Sequence, residues 1–185
     1  MKAGRKVVFI DQESRVNLGG QAFWSLGGLF IVGTPEQKLM GAKDFEDLAW
    51  ADWENSADYD DATGPGGEGN HDYWPRRWGR EFVRFAANEM RDYLGELGLR
   101  VLPTVGWAER GSGDASGHGN TVPRFHLTWG TGPEVVRVFL EPLEAAEKQG
   151  KVEFRNRHRM DEIIVENGRA VGVKGMVLAL SLIHI

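Results

Sequence analysis

The sequence predicts an α/β fold, in which helices cover a sheet that contains buried strands. Three observations predict it: a continuous apolar run over residues 7–10, two long amphipathic helical patterns, and a hairpin signal at Asn167-Gly168. A continuous apolar strand is typical of parallel sheets, because helices cover both of its faces. We therefore expect residues 7–10 to form a strand that is buried on both faces.

Two helices and a loop are predicted in the first half of the chain. The first helix is expected from Asp44 to about Glu54. Residues 55–74 are polar with a glycine-rich centre, which predicts an exposed loop. The second helix is expected from Pro75 to Gly98, because proline suits a first helical turn and glycine a C-terminal cap. Its apolar stripe comprises Trp78, Phe82, Phe85, Ala86, Met90, Tyr93, Leu94 and Leu97.

The second half of the chain predicts a helix followed by strands. The helix is expected over residues 133–150, and Pro142 inside it predicts a kink or a break. Residues 152–155 follow as a strand. Two further strands, over residues 162–165 and 170–173, flank Asn167-Gly168, which is a strong signal for a tight hairpin.

Composition excludes several classes of function. The chain has 22 basic and 27 acidic residues, so its net charge is -5, and no basic block predicts a nucleic-acid partner. It contains no cysteine, which excludes disulfides, thiolate zinc sites and iron–sulfur clusters, and fits a cytoplasmic location. The apolar run from Met176 onward has half of the ~20 residues that a membrane span needs, so no transmembrane segment is predicted. Residues 180–185 have no turn or amphipathic pattern, and we interpret them as a non-native tail.

The end of the first predicted strand has a candidate binding residue. Asp11 follows the apolar run directly. In dinucleotide-binding folds, an acidic residue at the carboxyl end of a strand accepts hydrogen bonds from the adenosine ribose. The alternative is that Asp11 only ends the strand.

Two glycine pairs follow, at residues 19–20 and 27–28, with aromatic residues between them. Glycine lets the backbone approach a flat ligand where a Cβ atom would collide. Gln21 and Ser25 add uncharged hydrogen-bonding groups. The pairs predict either a cofactor wall or a glycine-rich turn that packs two elements together.

Three segments resemble parts of one enzyme family. Residues 6–30 resemble the flavin-binding segment of FAD-dependent dehydrogenases grouped with fumarate reductase and succinate dehydrogenase flavoproteins, in the branch related to 3-ketosteroid Δ1-dehydrogenases. Residues 118–136 are similar to a family segment with an R-x-H element, and residues 158–173 to a hairpin beside the adenine. The resemblance covers residues 6–179. It implies a partial FAD-binding, Rossmann-like domain of the glutathione-reductase type, with a β-hairpin and helical insertions.

The resemblance also implies cofactor-binding roles for particular residues. Asp11 would hold the ribose, with Gln12 beside it, and the main chain of Met160 would meet the adenine. Seven further residues would line the cofactor and run toward the flavin ring: Gly19, Gly20, Gln21, Ala22, Ser25, Gly27 and Gly28. No catalytic residue is assigned.

Parts of the family pattern are missing from this sequence. The G-x-G-x-x-G turn that holds the FAD pyrophosphate should precede Lys6, and the later cap domain should follow the hairpin. We therefore interpret residues 1–179 as an incomplete FAD-binding domain. When this chain is expressed alone, we expect poor folding and weak retention of FAD.

Other candidate residues have weaker support. Arg124 and His126 could place a cation and a titratable group near a flavin, but such residues more often brace a loop. The histidines lack metal-ligand spacing, so no metal site is predicted. Asp58, Asp60 and Asp61 do not match a calcium loop.

We interpret the parent protein as an FAD-dependent oxidoreductase that transfers a hydride between an organic substrate and the flavin. The family branch implies 1,2-desaturation beside a carbonyl of a steroid-like or other hydrophobic small molecule. Reduction of an activated C=C bond, as in fumarate reductases, is the alternative within the same class. A non-catalytic α/β scaffold is the alternative from another class. The electron acceptor is unknown.

Overall fold

The structure is a computed structural model that describes residues 4–57, 59, 71–107 and 119–178. The chain divides into two compact units. Unit 1 combines Met1–Trp24 with Val136–Ile185, and unit 2 is the continuous segment Ser25–Val135. The centre of the expected loop over residues 55–74 and the expected tail over residues 180–185 lie outside the described residues.

Seven strands and six α-helices occur along the part of the chain that the structure describes. The strands are β1 (Val7–Asp11), β2 (Gly28–Phe30), β3 (Val101–Gly106), β4 (Phe125–Thr128), β5 (Val152–Asn156), β6 (His158–Glu166) and β7 (Arg169–Val177). The α-helices are α1 (Gly20–Trp24), α2 (Pro35–Leu39), α3 (Glu46–Ala57), α4 (Tyr73–Asn88), α5 (Met90–Glu96) and α6 (Thr131–Lys148). A short 3-10 helix occupies Arg15–Asn17.

Unit 1 contains a parallel strand pair and a hairpin. Strand β1 pairs with β5 in parallel register from Val7 opposite Val152 to Asp11 opposite Asn156. Strands β6 and β7 form the antiparallel hairpin that the sequence predicts. Asn167 and Gly168 join them at φ angles of 50° and 72°, as a type I′ turn requires. The prediction of the hairpin is therefore confirmed, and its strands are longer than expected.

The burial expected for the first strand is wrong. Val8, Phe9 and Ile10 are between 38% and 49% exposed. Among the described residues, β5 is the only strand that is hydrogen-bonded to β1. Phe9 stacks on Phe154 at 5.2 Å between ring centroids, and Arg15 lies over the Phe154 ring. An apolar strand with one paired edge leaves much of its side-chain surface uncovered.

Unit 2 is built on a three-stranded antiparallel sheet in the order β2-β4-β3. Gly28 pairs with Leu127, and Val105 pairs with His126. Helices α3, α4 and α5 contribute buried side chains beside this sheet. The buried apolar residues of unit 2 are Ile31, Val32, Ala49, Val83, Ala86, Met90, Leu94, Leu99 and Val105.

Two helix predictions need correction. The single helix expected over residues 75–98 is two helices, α4 and α5, because Glu89 leaves the helical conformation at φ -124°. Trp78, expected on the buried stripe, is 70% exposed. In α6 the helix continues through Pro142, so of the predicted kink or break, the break does not occur.

Candidate functional site

Asp11 lies where the sequence places it, at the carboxyl end of β1. Its Oδ1 accepts a hydrogen bond of 2.9 Å from the backbone N–H of Glu13, which follows an exposed Gln12. Among the described residues, no other group forms a hydrogen bond with this carboxylate. The chain therefore orients the Asp11 carboxylate and leaves acceptor capacity for a ligand.

The first glycine pair opens helix α1. Gly19 and Gly20 have φ angles of 96° and 47°, which L side chains rarely adopt. A Cβ atom on Gly19 would lie 2.6 Å from the Val136 side chain, so packing requires glycine there. A Cβ atom on Gly20 would meet no atom within 4 Å. Gly20 therefore borders open space rather than another element.

A groove of about 390 Å³ runs beside this turn and helix. Gly20 and Gln21 line it, and Ala22 follows them in α1. Its remaining lining residues are Glu13, Val16, Asn17, Leu18, Phe23 and Trp24. The groove has the apolar walls and few polar groups that are typical of small-molecule sites.

The second glycine pair packs against protein. A Cβ atom on Gly27 would lie 2.6 Å from the backbone carbon of Thr131, and one on Gly28 would lie 1.8 Å from the Phe125 ring. Ser25 accepts a 3.0 Å hydrogen bond at Oγ from the N–H of Gly27. Its carbonyl accepts another, also 3.0 Å, from the N–H of Gly132. Packing within unit 2 therefore accounts for both glycines without a ligand.

Met160 lies on β6 opposite Gly175 and is half exposed. It lines a cavity of about 140 Å³ together with Ile10 of β1 and His158. A Cβ atom on Gly175 would overlap the carbonyl of Arg159, so the two strands approach closely here. Met160 and Asp11 thus belong to unit 1, as do Gln12 and residues 19–22, whereas Ser25, Gly27 and Gly28 belong to unit 2.

Arg124 is a buried structural cation. It is 1% exposed, and its Nε and Nη2 donate to the two carboxylate oxygens of Asp44 at 2.9 and 2.7 Å. Its Nη1 donates to Asp52 at 2.6 Å and to the Oδ1 of Asn120 at 2.7 Å. Paired carboxylates offset the desolvation cost of a buried guanidinium. This geometry favours the bracing role over the catalytic one.

His126 is fully buried, and its surroundings favour the neutral ring. Its Nδ1 lies 3.0 Å from the carbonyl of Arg124, which can only accept, so Nδ1 carries the proton. In that neutral tautomer, Nε2 is an acceptor that lies 2.8 Å from the Thr34 hydroxyl. Burial lowers the pKa of His126 below its usual range, because a charged imidazolium loses its hydration there. A buried neutral ring is a bracing group rather than a proton donor to substrate.

The sequence interpretation missed Asp44, Asp52 and Asn120. Asp44 is 80 residues from Arg124 and Asp52 is 72 residues away, so no local spacing could reveal their pairing. The described residues contain no cluster of three potential ligands for a metal ion. Across the same ranges, no helix has the length and apolarity to cross a membrane. The aspartates considered for calcium, Asp58, Asp60 and Asp61, lie outside the described residues.

The residues of unit 1 fit part of a dinucleotide cofactor. A strand-end carboxylate with unused acceptor capacity suits a ribose, and the open space over Gly20 leaves room for a ligand against the backbone. A family model for the FAD binding domain matches residues 1–181. The chain therefore belongs to the FAD-binding domain family, and its cofactor is FAD.

The chain is also similar in sequence to two steroid dehydrogenases. The chain is 49% identical, over 175 residues, to a KsdD-like steroid dehydrogenase of Mycobacterium tuberculosis, covering 95% of this chain and 29% of that protein. It is 47% identical, over 178 residues, to a KsdD-like steroid dehydrogenase of Mycolicibacterium smegmatis, covering 96% of this chain and 30% of that protein. The chain thus spans less than a third of the length of these relatives.

Solved structures share the fold. Mycobacterium smegmatis Sdh1 in complex with UQ1 superposes with a TM-score of 0.60 at 16% identity, over 94% of this chain and 27% of that one. The apo form of the same complex gives a TM-score of 0.58. The α/β fold of a flavoprotein, expected from the sequence, is therefore confirmed.

Proposed function

We propose that the protein to which this chain belongs is an FAD-dependent oxidoreductase that transfers a hydride between an organic substrate and the flavin. The observation that supports it most is the family match over residues 1–181, joined to the position of Asp11 at the end of β1. FAD, when bound, supplies the redox chemistry, and the chain supplies binding and orientation.

The chain's own residues would then hold different parts of the cofactor. Asp11 would accept hydrogen bonds from the ribose, with Gln12 beside it, and the main chain of Met160 would face the adenine. The turn and helix at Gly19, Gly20, Gln21 and Ala22 would border the cofactor along the groove. Ser25, Gly27 and Gly28 would continue toward the flavin ring, held in place by their packing on Phe125 and Thr131.

We further propose that the reaction is 1,2-desaturation beside a carbonyl of a steroid-like substrate. The relatives at 49% and 47% identity are named KsdD-like steroid dehydrogenases, which supports this substrate class. Reduction of an activated C=C bond is the reverse direction of the same hydride transfer. The cytoplasmic location stays a prediction.

A non-catalytic scaffold is the second candidate. The observation that favours it is the second glycine pair, whose glycines are required by packing against Thr131 and Phe125. On this interpretation the glycine-rich segment joins elements of unit 2, and no cofactor lies on it.

Replacing Asp11 by Asn separates the two candidates. Asn keeps an oxygen that accepts from the Glu13 N–H but removes the charge that strengthens a bond to ribose. In the full-length protein, we expect FAD to bind about 10- to 100-fold more weakly, in line with ~1.5–3 kcal/mol for hydrogen bonds to charged groups. Flavin fluorescence titration measures this affinity.

Asp47→Asn is the matched control, because Asp47 is 86% exposed and the same charge is lost there. We expect this variant to bind FAD like the wild-type protein. A wild-type protein that binds no FAD, or an Asp11→Asn protein that binds it equally well, would favour the scaffold.

A further inference from the structure

Arg157 is the single residue between strands β5 and β6, and its backbone is left-handed. Its φ angle is 63°, and among the described non-glycine residues only Thr131 and Asn167 also have a positive φ. This conformation is uncommon for residues other than glycine. It persists where surrounding contacts hold it, and such positions cluster at functional sites. The conformation of Arg157 therefore indicates a constraint on the turn between the two strands.

Hydrogen bonds within unit 1 fix the turn at Arg157 from several directions. The N–H of Arg157 donates to the carbonyl of Glu13 at 3.0 Å, and its carbonyl accepts from the N–H of Leu178 at 2.7 Å. The Nδ1 of His158 lies 2.8 Å from the carbonyl of Asn156, so a side chain also spans the turn. The left-handed backbone thus connects the loop after β1 to the end of β7.

The contact with Glu13 connects Arg157 to the Asp11 carboxylate. The main chain of Glu13 is held on both sides: its N–H donates to the Oδ1 of Asp11 at 2.9 Å, and its carbonyl accepts from Arg157. The Nδ2 of Asn17 also donates to the Glu13 side chain at 3.3 Å. Glu13 therefore orients the carboxylate, and Arg157 fixes the position of Glu13.

The strand register places the turn beside Asp11 as well. Asp11 is opposite Asn156 in the parallel pairing of β1 with β5, so the carboxylate and the turn lie at the same end of two neighbouring strands. The Nδ2 of Asn156 is buried and has no hydrogen-bond partner among the described residues. An unused acceptor on Asp11 and an unused donor on Asn156 therefore lie at adjacent strand ends, next to Arg157.

We propose that Arg157 is a positioning residue for the cofactor: its left-handed backbone directs its N–H to Glu13 and so holds the Asp11 carboxylate in the orientation that accepts from the ribose. A carboxylate that is already oriented binds more tightly, because less ordering is needed when the ligand arrives. The same residue leads the chain into the hairpin that carries Met160. This inference rests on the proposed function, since it concerns the cofactor site of that oxidoreductase.

Two substitutions at residue 157 separate the backbone conformation from the arginine side chain. Arg157→Gly removes the side chain and adopts a positive φ freely, whereas the β-branched side chain of Arg157→Val disfavours a positive φ. In the full-length protein, we expect Arg157→Val to bind FAD about 3- to 10-fold more weakly, because the carboxylate must then be ordered on binding. Arg157→Gly should bind FAD like the wild-type protein. Flavin fluorescence titration measures both affinities.

Arg169→Val is the matched control, because Arg169 is an exposed residue of β7, where an extended backbone accommodates valine. It should bind FAD like the wild-type protein. If Arg157→Val does not fold, Arg157→Thr replaces it with the same expected direction, since Thr131 already has a φ of 59° in this chain. Weak binding by Arg157→Gly, or wild-type binding by the β-branched variant, would overturn the proposal.

A double-mutant cycle separates positioning from a general loss of structure. An Asp11→Ala protein has no carboxylate to orient, so adding Arg157→Val should weaken FAD binding by less than about twofold. A further loss as large as in the wild-type background would show that residue 157 acts independently of Asp11, which overturns the proposal. If Asp11→Asn weakens FAD binding and Arg157→Val does not, only this inference fails. If neither change weakens it, the proposed function fails as well.

Discussion

The two units differ in where their charged and apolar side chains lie. In unit 2, Arg124 and its two carboxylates are buried, and every one of these ions has a partner within the unit. In unit 1, the apolar side chains of β1 and of the β6–β7 hairpin are widely exposed, with Ile163 at 54%. Extended apolar surface is normally covered in a stable protein. Unit 2 thus contains a buried network of paired ions, whereas the strands of unit 1 leave much of their apolar side-chain surface exposed.

The largest expected effect comes from Arg124→Met in unit 2. This change leaves Asp44 and Asp52 buried without their cation. We expect it to lower the free energy of unfolding by roughly 3–5 kcal/mol. Arg15→Met is the counterpart in unit 1, where Arg15 is 42% exposed and binds Glu147. Exposed pairs contribute about 0–1 kcal/mol, so we expect little change.

Urea denaturation of both variants measures the difference, and Arg124→Lys should fall between Arg124→Met and the wild-type protein. If Arg124→Met and Arg15→Met lower the free energy of unfolding by similar amounts, the two units do not differ in how their ion pairs contribute to stability.

A smaller effect is expected from Gly28→Ala. Its methyl group would overlap the Phe125 ring, which must then move together with strand β4. We expect this overpacking to lower the free energy of unfolding by about 1–3 kcal/mol. Gly95→Ala is the control, because Gly95 lies in helix α5 with its nearest neighbour 3.9 Å away. Alanine there should stabilise by about 0.5–1 kcal/mol. If denaturation shows Gly28→Ala to be neutral, packing does not explain the second glycine pair.

The smallest effect is a dependence of stability on pH through His126. The unfolded ring titrates near pH 6.5, and burial lowers the pKa in the fold, so the unfolded state binds more protons as the pH falls. The neutral ring therefore makes its full contribution to the free energy of unfolding above about pH 6.5. This contribution decreases as the pH falls toward the pKa of the ring in the folded state. Glu36 and Arg91 are charged groups whose electrostatic fields act on the ring, and their effects on its pKa have opposite sign.

Denaturation of the wild-type protein and of His126→Gln at pH 7.5 and pH 5.5 measures this contribution. We expect the gap in stability between them to narrow at the lower pH. A gap that is unchanged or wider at pH 5.5 would contradict a neutral His126.

Sequence reasoning succeeded where structure depends on neighbours along the chain. The Asn167-Gly168 turn and strand β5 follow from short patterns that are independent of the remaining fold. The burial of Arg124 depends on Asp44, 80 residues away, and the exposure of Trp78 depends on which face of α4 packs. The candidate site likewise contains residues that local sequence identifies and residues that only the fold identifies. Asp11 is recognisable as a strand end from the sequence, whereas the close packing of Gly27 on Thr131 is recognisable only in the folded chain.

The pairing of β1 with β5 has a consequence for how the chain is made. Val7 and its partner Val152 are 152 − 7 = 145 residues apart. A ribosome that adds ~5–20 residues per second takes roughly 7–30 s to cover that distance. Unit 2 is continuous and can close on itself within this interval. Throughout it, the nascent strand at Val8, Phe9 and Ile10 lacks its pairing with β5, so these apolar side chains are open to chaperones during synthesis.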